Sequence, residues 1–178
     1  FDKITIDYYR DETVALEAFK AGNYDFRQER VAKNWATLYT GPNFDAGYIV
    51  KEEIPHDIPQ GMQGLVFNTQ RAFFSDYRVR RALSYALDFE WMNKNLFYDQ
   101  YARTRSYFEN TPYAAAGLPS PEELKILEPL RGKVPPEVFT QEYNPPKTDG
   151  SGTLRGEIRT ALALLKDWDA GNVLLHAG

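Results

Sequence analysis

The residues best suited to hold a charged organic molecule are Arg27-Gln28-Glu29-Arg30, followed by Asn34 and Trp35. Glu29 can pair an ammonium, Arg27 can pair a carboxylate, and Trp35 can stack against a side chain. They follow a short strand-like run, Tyr24-Asp25-Phe26, and in open α/β sheets ligands sit beyond the carboxyl ends of strands. The same rule favours Arg10 to Thr13, where a helix also begins and its N–H groups face out. Arg103-Thr104-Arg105 forms a second candidate on that logic. Ordinary surface ion pairs are the competing explanation for every charged residue among these.

Other chemistries find little support. The chain has two histidines, His56 and His176, and no cysteine. Neither histidine has partners at zinc-ligand spacing, and His56-Asp57 are too close in sequence to orient each other as in a catalytic triad. No carboxylate pair stands out as a general acid and base, although a hidden pair of the glycosidase kind stays open. Lys147-Thr148-Asp149-Gly150-Ser151-Gly152 lacks the residue order of a phosphate-binding P-loop and reads as a loop. Arg78, Arg80 and Arg81 read as a solvated helix face. A net charge of −4 gives no reason to expect nucleic acid. Catalytic residues, metal ligands and cofactors are therefore not expected.

These side chains must be positioned by helices and strands of a real core. The chain of 178 residues is 43% hydrophobic and 15% aromatic, enough for one globular domain spanning residues 1–178. No apolar run approaches the length of a membrane span. The chain begins at Phe1 rather than Met, so we expect a mature or excised fragment.

Alternation of Ile4, Ile6 and Tyr8 with polar neighbours predicts a half-buried strand. Asp11 or Thr13 then caps a helix with Ala15, Leu16 and Phe19 inward, closed by Lys20 and Gly22. Tyr24 to Phe26 resumes as strand, giving a compact β-α-β unit. Val31 to Tyr39 reads as a helix stopped at Gly41-Pro42, and Gly47 to Ile54 as a further strand.

Gln63 to Asn68 predicts a strand covered on both faces. Phe73 to Asp76 then starts a helix, with Ser75 as cap and Phe74 stapled onto Val79. Val79, Ala82, Leu83, Ala86 and Leu87 recur at helical spacing and should form its buried face. Asp88 can cap a further helix carrying Phe89, Met92, Leu96 and Phe97. Short helices are expected at 121–127 and 136–139. The final helix is expected near 153–168, with Leu154, Ile158, Ala161, Leu162 and Leu165 on one face.

Leu65-Val66-Phe67-Asn68, then Phe74-Ser75-Asp76-Tyr77-Arg78-Val79-Arg80 and Ala86-Leu87-Asp88, resemble a segment of the family 5 extracytoplasmic solute-binding proteins of ABC transporters. These are the dipeptide and oligopeptide receptors. Arg103-Thr104-Arg105-Ser106-Tyr107-Phe108-Glu109-Asn110 and Gly117-Leu118-Pro119-Ser120-Pro121 bring the chain closer to the Yej-type branch, associated with oligopeptides and microcin C. Arg27, Glu29, Asn34 and Trp35 also fall on that branch's pattern. The resemblance runs from about Tyr9 to Leu165. After Leu165 it breaks, because Trp168 precedes Asp169-Ala170-Gly171 where the family closes the helix with Ala-Gly-Trp.

The resemblance implies an α/β lobe of the periplasmic-binding-protein-like II kind, with a mixed β-sheet and helices on both faces. The chain would be most of the second lobe of a two-lobe receptor. It implies a periplasmic, monomeric protein that captures oligopeptides or peptide-like compounds, closes on them by a hinge and delivers them to a membrane permease. Arg27, Glu29, Asn34, Trp35, Arg103 and Thr104 are the expected ligand-binding residues. The alternatives are another solute of the same superfamily (nickel, a sugar or an opine) or a carboxylate-dependent hydrolase.

Overall fold

The computed structural model describes residues 1–172, with side chains through Trp168. His176 and the rest of 173–178 lie outside the described residues. The chain divides into two compact units, Phe1–Pro55 and a second from His56 onward.

The first unit is built on α1, Glu12–Lys20. Asp11 caps it by accepting from the N–H groups of Thr13 and Val14 at 2.8 and 3.0 Å. Glu12 and Lys20 place opposite charges at the ends that favour them. Ala15 and Leu16 are buried, and Gly22 turns the chain away at φ 78°. Such a φ strains any residue with a Cβ. Next come α2, Ala32–Thr37, and α3, Pro42–Asp45. Tyr39, between them, is buried with its ring against Trp35 and Phe44.

The second unit contains α4, Ala72–Ser75; α5, Tyr77–Tyr85; α6, Phe89–Leu96; α7, Pro121–Leu127; and α8, Arg155–Asn172. Two 3₁₀ turns, Glu128–Leu130 and Pro136–Phe139, lie between α7 and α8. α5 packs against α8. Val79 and Ala82 of α5 and Ala161 of α8 are buried. Arg78 Nη1 donates to the Asp167 carbonyl at 3.0 Å, and Phe73 meets Trp168 edge-on at 5.2 Å. Small and branched side chains let two helices approach closely while burying apolar surface.

Several expectations are corrected. Ser75 does not cap α5: its hydroxyl donates back to the Ala72 carbonyl, and Asp76 takes the Arg78 N–H at 2.8 Å. Phe74 rests against Phe67 and Phe73. Leu83 is 37% exposed, and Ile158 and Leu162 of α8 are also exposed. The buried stripe is narrower than the sequence period suggested. The arginine triplet is not merely solvated. Arg78 pairs with Asp76 at 2.7 Å, Arg80 donates to the Phe74 and Ser75 carbonyls at the end of α4, and Arg81 faces Glu137 at 3.6 Å.

Among the described residues no β-strand is formed, only an isolated bridge between Arg131 and Val134. The segments expected as strands run without ladder partners, with Ile4, Ile6, Tyr8, Leu65 and Val66 exposed. A strand exists only when a neighbouring backbone takes its hydrogen bonds.

Candidate functional site

In the first unit, Arg27 and Glu29 come together around Tyr39. Arg27 donates through Nε to Tyr39 Oη at 3.0 Å, through Nη1 to Tyr24 Oη at 3.2 Å, and through Nη2 to Glu12 at 2.7 Å. Tyr24 in turn donates to the Ala15 carbonyl at 2.7 Å, tying the group to α1. Glu29 Oε1 accepts from the N–H groups of Arg30 and Val31, both at 2.8 Å, and Oε2 accepts from Tyr39 Oη at 2.8 Å. Arg27 Nη2 stands 3.7 Å from Glu29 Oε2, and these side chains are only 10% and 4% exposed.

Burial opposes both charges, and the partners override it. Burial would lower the Arg27 pKa, but bonds to Glu12, Tyr24 and Tyr39 hold it above the ordinary value. Burial would raise Glu29, but the Val31 N–H, the Tyr39 hydroxyl, the Arg30 N–H and the Arg27 charge hold it below the usual range. Burial, with the bond to Glu29, pushes the Tyr39 phenol up to about 12. The two charges expected to meet a ligand meet each other, and both Glu29 oxygens accept bonds from within the unit.

Trp35 and Asn34 sit half-buried on α2. Trp35 Nε1 donates to Glu53 at 3.0 Å, and the Lys51 ammonium lies 4.4 Å from the Trp35 ring centroid. That contact is a cation–π pair. It shows how the indole takes a cation, here one supplied by the chain itself.

The second unit holds an open groove of about 530 Å³. The start of α6, the segment 99–105 and the segment 144–147 form its walls. Arg103 and Arg105 line it, together with Lys147, Glu90 and Asp99; Thr104 does not. Arg103 lies over the Phe89 ring, 5.4 Å from its centroid, and its Nη1 is buried with no hydrogen-bond partner. Arg105 faces Glu142 at 3.7 Å.

Thr148, which sequence reasoning passed over as loop, fixes one wall. Its N–H donates to Glu90 Oε2 at 3.0 Å, and its hydroxyl, with one proton to give, stands within hydrogen-bond distance of both Asp88 and Glu90 Oε2. Burial opposes the Glu90 charge, but the Thr148 bonds and the Arg103 charge keep its carboxyl below the ordinary value. Asp88 also caps α6, accepting from the Trp91 N–H at 3.0 Å. Gly152 completes the clasp, since a Cβ there would sit 3.0 Å from the Trp91 ring. The signal available in sequence was a Thr flanked by loop formers. It became informative only once the loop was seen to return to α6.

Among the described residues no group of three or more His, Asp or Glu is placed to hold a metal ion. His56 Nδ1 accepts locally from the Ile58 N–H at 3.2 Å. No described helix is long and apolar enough to cross a membrane.

Residues 1–166 match the family model described as bacterial extracellular solute-binding proteins, family 5 Middle. The chain belongs to this family, whose members are transport binding proteins with a periplasmic-binding-protein-like fold. It is 53% identical over 174 residues to the "Uncharacterized protein YejA" of Escherichia coli strain K12, covering 98% of this chain and 28% of that protein. Two relatives in Agrobacterium fabrum are each 40% identical, covering 94% of this chain and 28% of their own length. They are named "Probable peptide-binding protein YejA" and "Peptidoglycan-binding protein YepA". The protein is therefore a family 5 solute-binding protein of the Yej type. The chain spans little more than a quarter of the length of these relatives.

Proposed function

We propose that this chain is part of the substrate-binding component of an ABC importer, capturing oligopeptides or peptide-like compounds in the periplasm and passing them to a membrane permease. Membership of the solute-binding family carries the reading, and a relative named as peptide-binding supplies the ligand class. Residues 1–178 act as one domain, most of the second lobe of a monomeric receptor that closes by a hinge. No bond is made or broken. The segments near 4–8, 24–26, 47–54 and 63–68 enter a mixed sheet with helices on both faces when the longer protein supplies their neighbours.

Each unit carries residues of its own that we assign to ligand contact: Asn34 and Trp35 in the first, Arg103 and Thr104 in the second. Arg27 and Glu29 shape the loop that precedes α2. Adaptable contacts of this kind suit breadth of ligand rather than one sequence. A peptidoglycan fragment is a second ligand supported by the name of one relative, and its stem is itself peptide-like.

Calorimetry tests the half-site. The full-length protein should bind short peptides far more tightly than residues 1–178 alone, because the facing contacts are missing from the shorter chain. Equal affinity for the two would overturn the two-lobe reading.

A further inference from the structure

We propose that the groove beside α6 is a carboxylate subsite centred on the Arg103 guanidinium; this names part of the receptor proposed above and rests on that reading. Arg103 is half-buried against Phe89, and no acceptor among the described residues reaches its Nη1. Buried donors are nearly always paired, and an unpaired one in a groove wall marks where an acceptor is missing. A planar guanidinium takes a carboxylate through two parallel bonds.

The nearest acid cannot serve fully. Glu90 Oε2 accepts from the Thr148 N–H and makes no hydrogen bond to the buried Arg103 Nη1, so Glu90 acts on Arg103 through its charge. Arg105 and Lys147 add positive charge to the lining, against Glu90 and Asp99. With Arg105 already facing Glu142, the charges around the groove balance, and no carboxylate need be displaced from Arg103 Nη1. No described acceptor holds Nη1 against a small rotation of the guanidinium across the Phe89 face into the groove. The shared chemistry is a carboxylate, and it has two possible peptide sources: the C-terminus or an acidic side chain.

The test uses full-length protein, wild type, Arg103→Gln and Arg103→Lys. Calorimetry compares tri-alanine, tri-alanine amide and Ala-Ala-Asp-amide, alongside melting temperatures without ligand. Wild type should bind tri-alanine roughly tenfold more tightly than its amide, the scale of one charge-assisted contact. Recovery of binding by Ala-Ala-Asp-amide shows that a side-chain carboxylate also enters. Arg103→Gln should erase the preference, and Arg103→Lys should restore part of it.

A preference left intact by Arg103→Gln overturns the subsite. So does a lowered melting temperature with the preference intact, because Arg103 would then pair with a carboxylate of the protein's own remaining chain. If no peptide binds the wild type, the peptide reading fails instead. The subsite is then judged by phenylglyoxal labelling: N-acetylglycine protecting Arg103 sustains it, and equal labelling overturns it.

Discussion

Tyr39 shows how one side chain decides the role of two charges. Its hydroxyl accepts from Arg27 and donates to Glu29, so both charges are held inward by bonds whose loss would leave buried groups unpaired. Glu29→Gln should therefore lower the melting temperature, at a cost of about 1–3 kcal/mol, while leaving peptide affinity of the full-length protein unchanged. Lost affinity at constant melting temperature would return Glu29 to the ligand. The pH dependence has a sign at each end. Glu29 has a lowered folded pKa, so its contribution is present above the ordinary value of 4.5 and is lost as pH falls through the folded value. Tyr39 has a raised folded pKa, so its contribution is present below 10 and is lost between 10 and about 12. Thermal unfolding of wild type and Tyr39→Phe across that alkaline range checks the second claim. The wild type should lose stability there that the variant, lacking the phenol, does not lose.

At the scale of elements, the helices were legible because their signals are local. Asp11 and Asp88 cap where their sequence position requires, and α7 begins at Ser120 with a reciprocal bond to Glu123. The turn at 136–139 also falls where Pro135-Pro136 suggested. What periodicity could not give was the depth of each face. Val79 and Ala82 lie buried while Leu83, one residue on, is 37% exposed, because burial depends on where α8 lands. Val79→Ala should accordingly cost about 2 kcal/mol, and Leu83→Ala clearly less. Urea midpoints that shift equally would contradict this orientation. Ser120→Ala should cost about 0.5–2 kcal/mol through the lost cap. Strands were legible only as alternation, and alternation says which faces are apolar, not which backbone will pair with them. The candidate site divided in the same way. Arg103 was visible as a charged residue in a basic loop, but Lys147 joins it, and Thr148 reaches Glu90, through a return of the chain that no local pattern encodes.

At the scale of the whole molecule, the chain matches little more than a quarter of the length of its relatives. Extended segments such as Ile4 to Tyr8 and Leu65 to Phe67 expose apolar side chains, and the proposed receptor would place them in a mixed sheet. A groove with an unpaired guanidinium makes sense as part of a site that a ligand completes. The central claim is that the protein holds peptides and leaves them intact. Native mass spectrometry of the full-length protein, incubated with a defined set of short peptides and then denatured to release them, addresses it directly. The expected result is a one-to-one complex and release of peptides at unchanged mass. Peptide fragments of lower mass would contradict the account in favour of a hydrolase, and an absence of any peptide complex would contradict it outright.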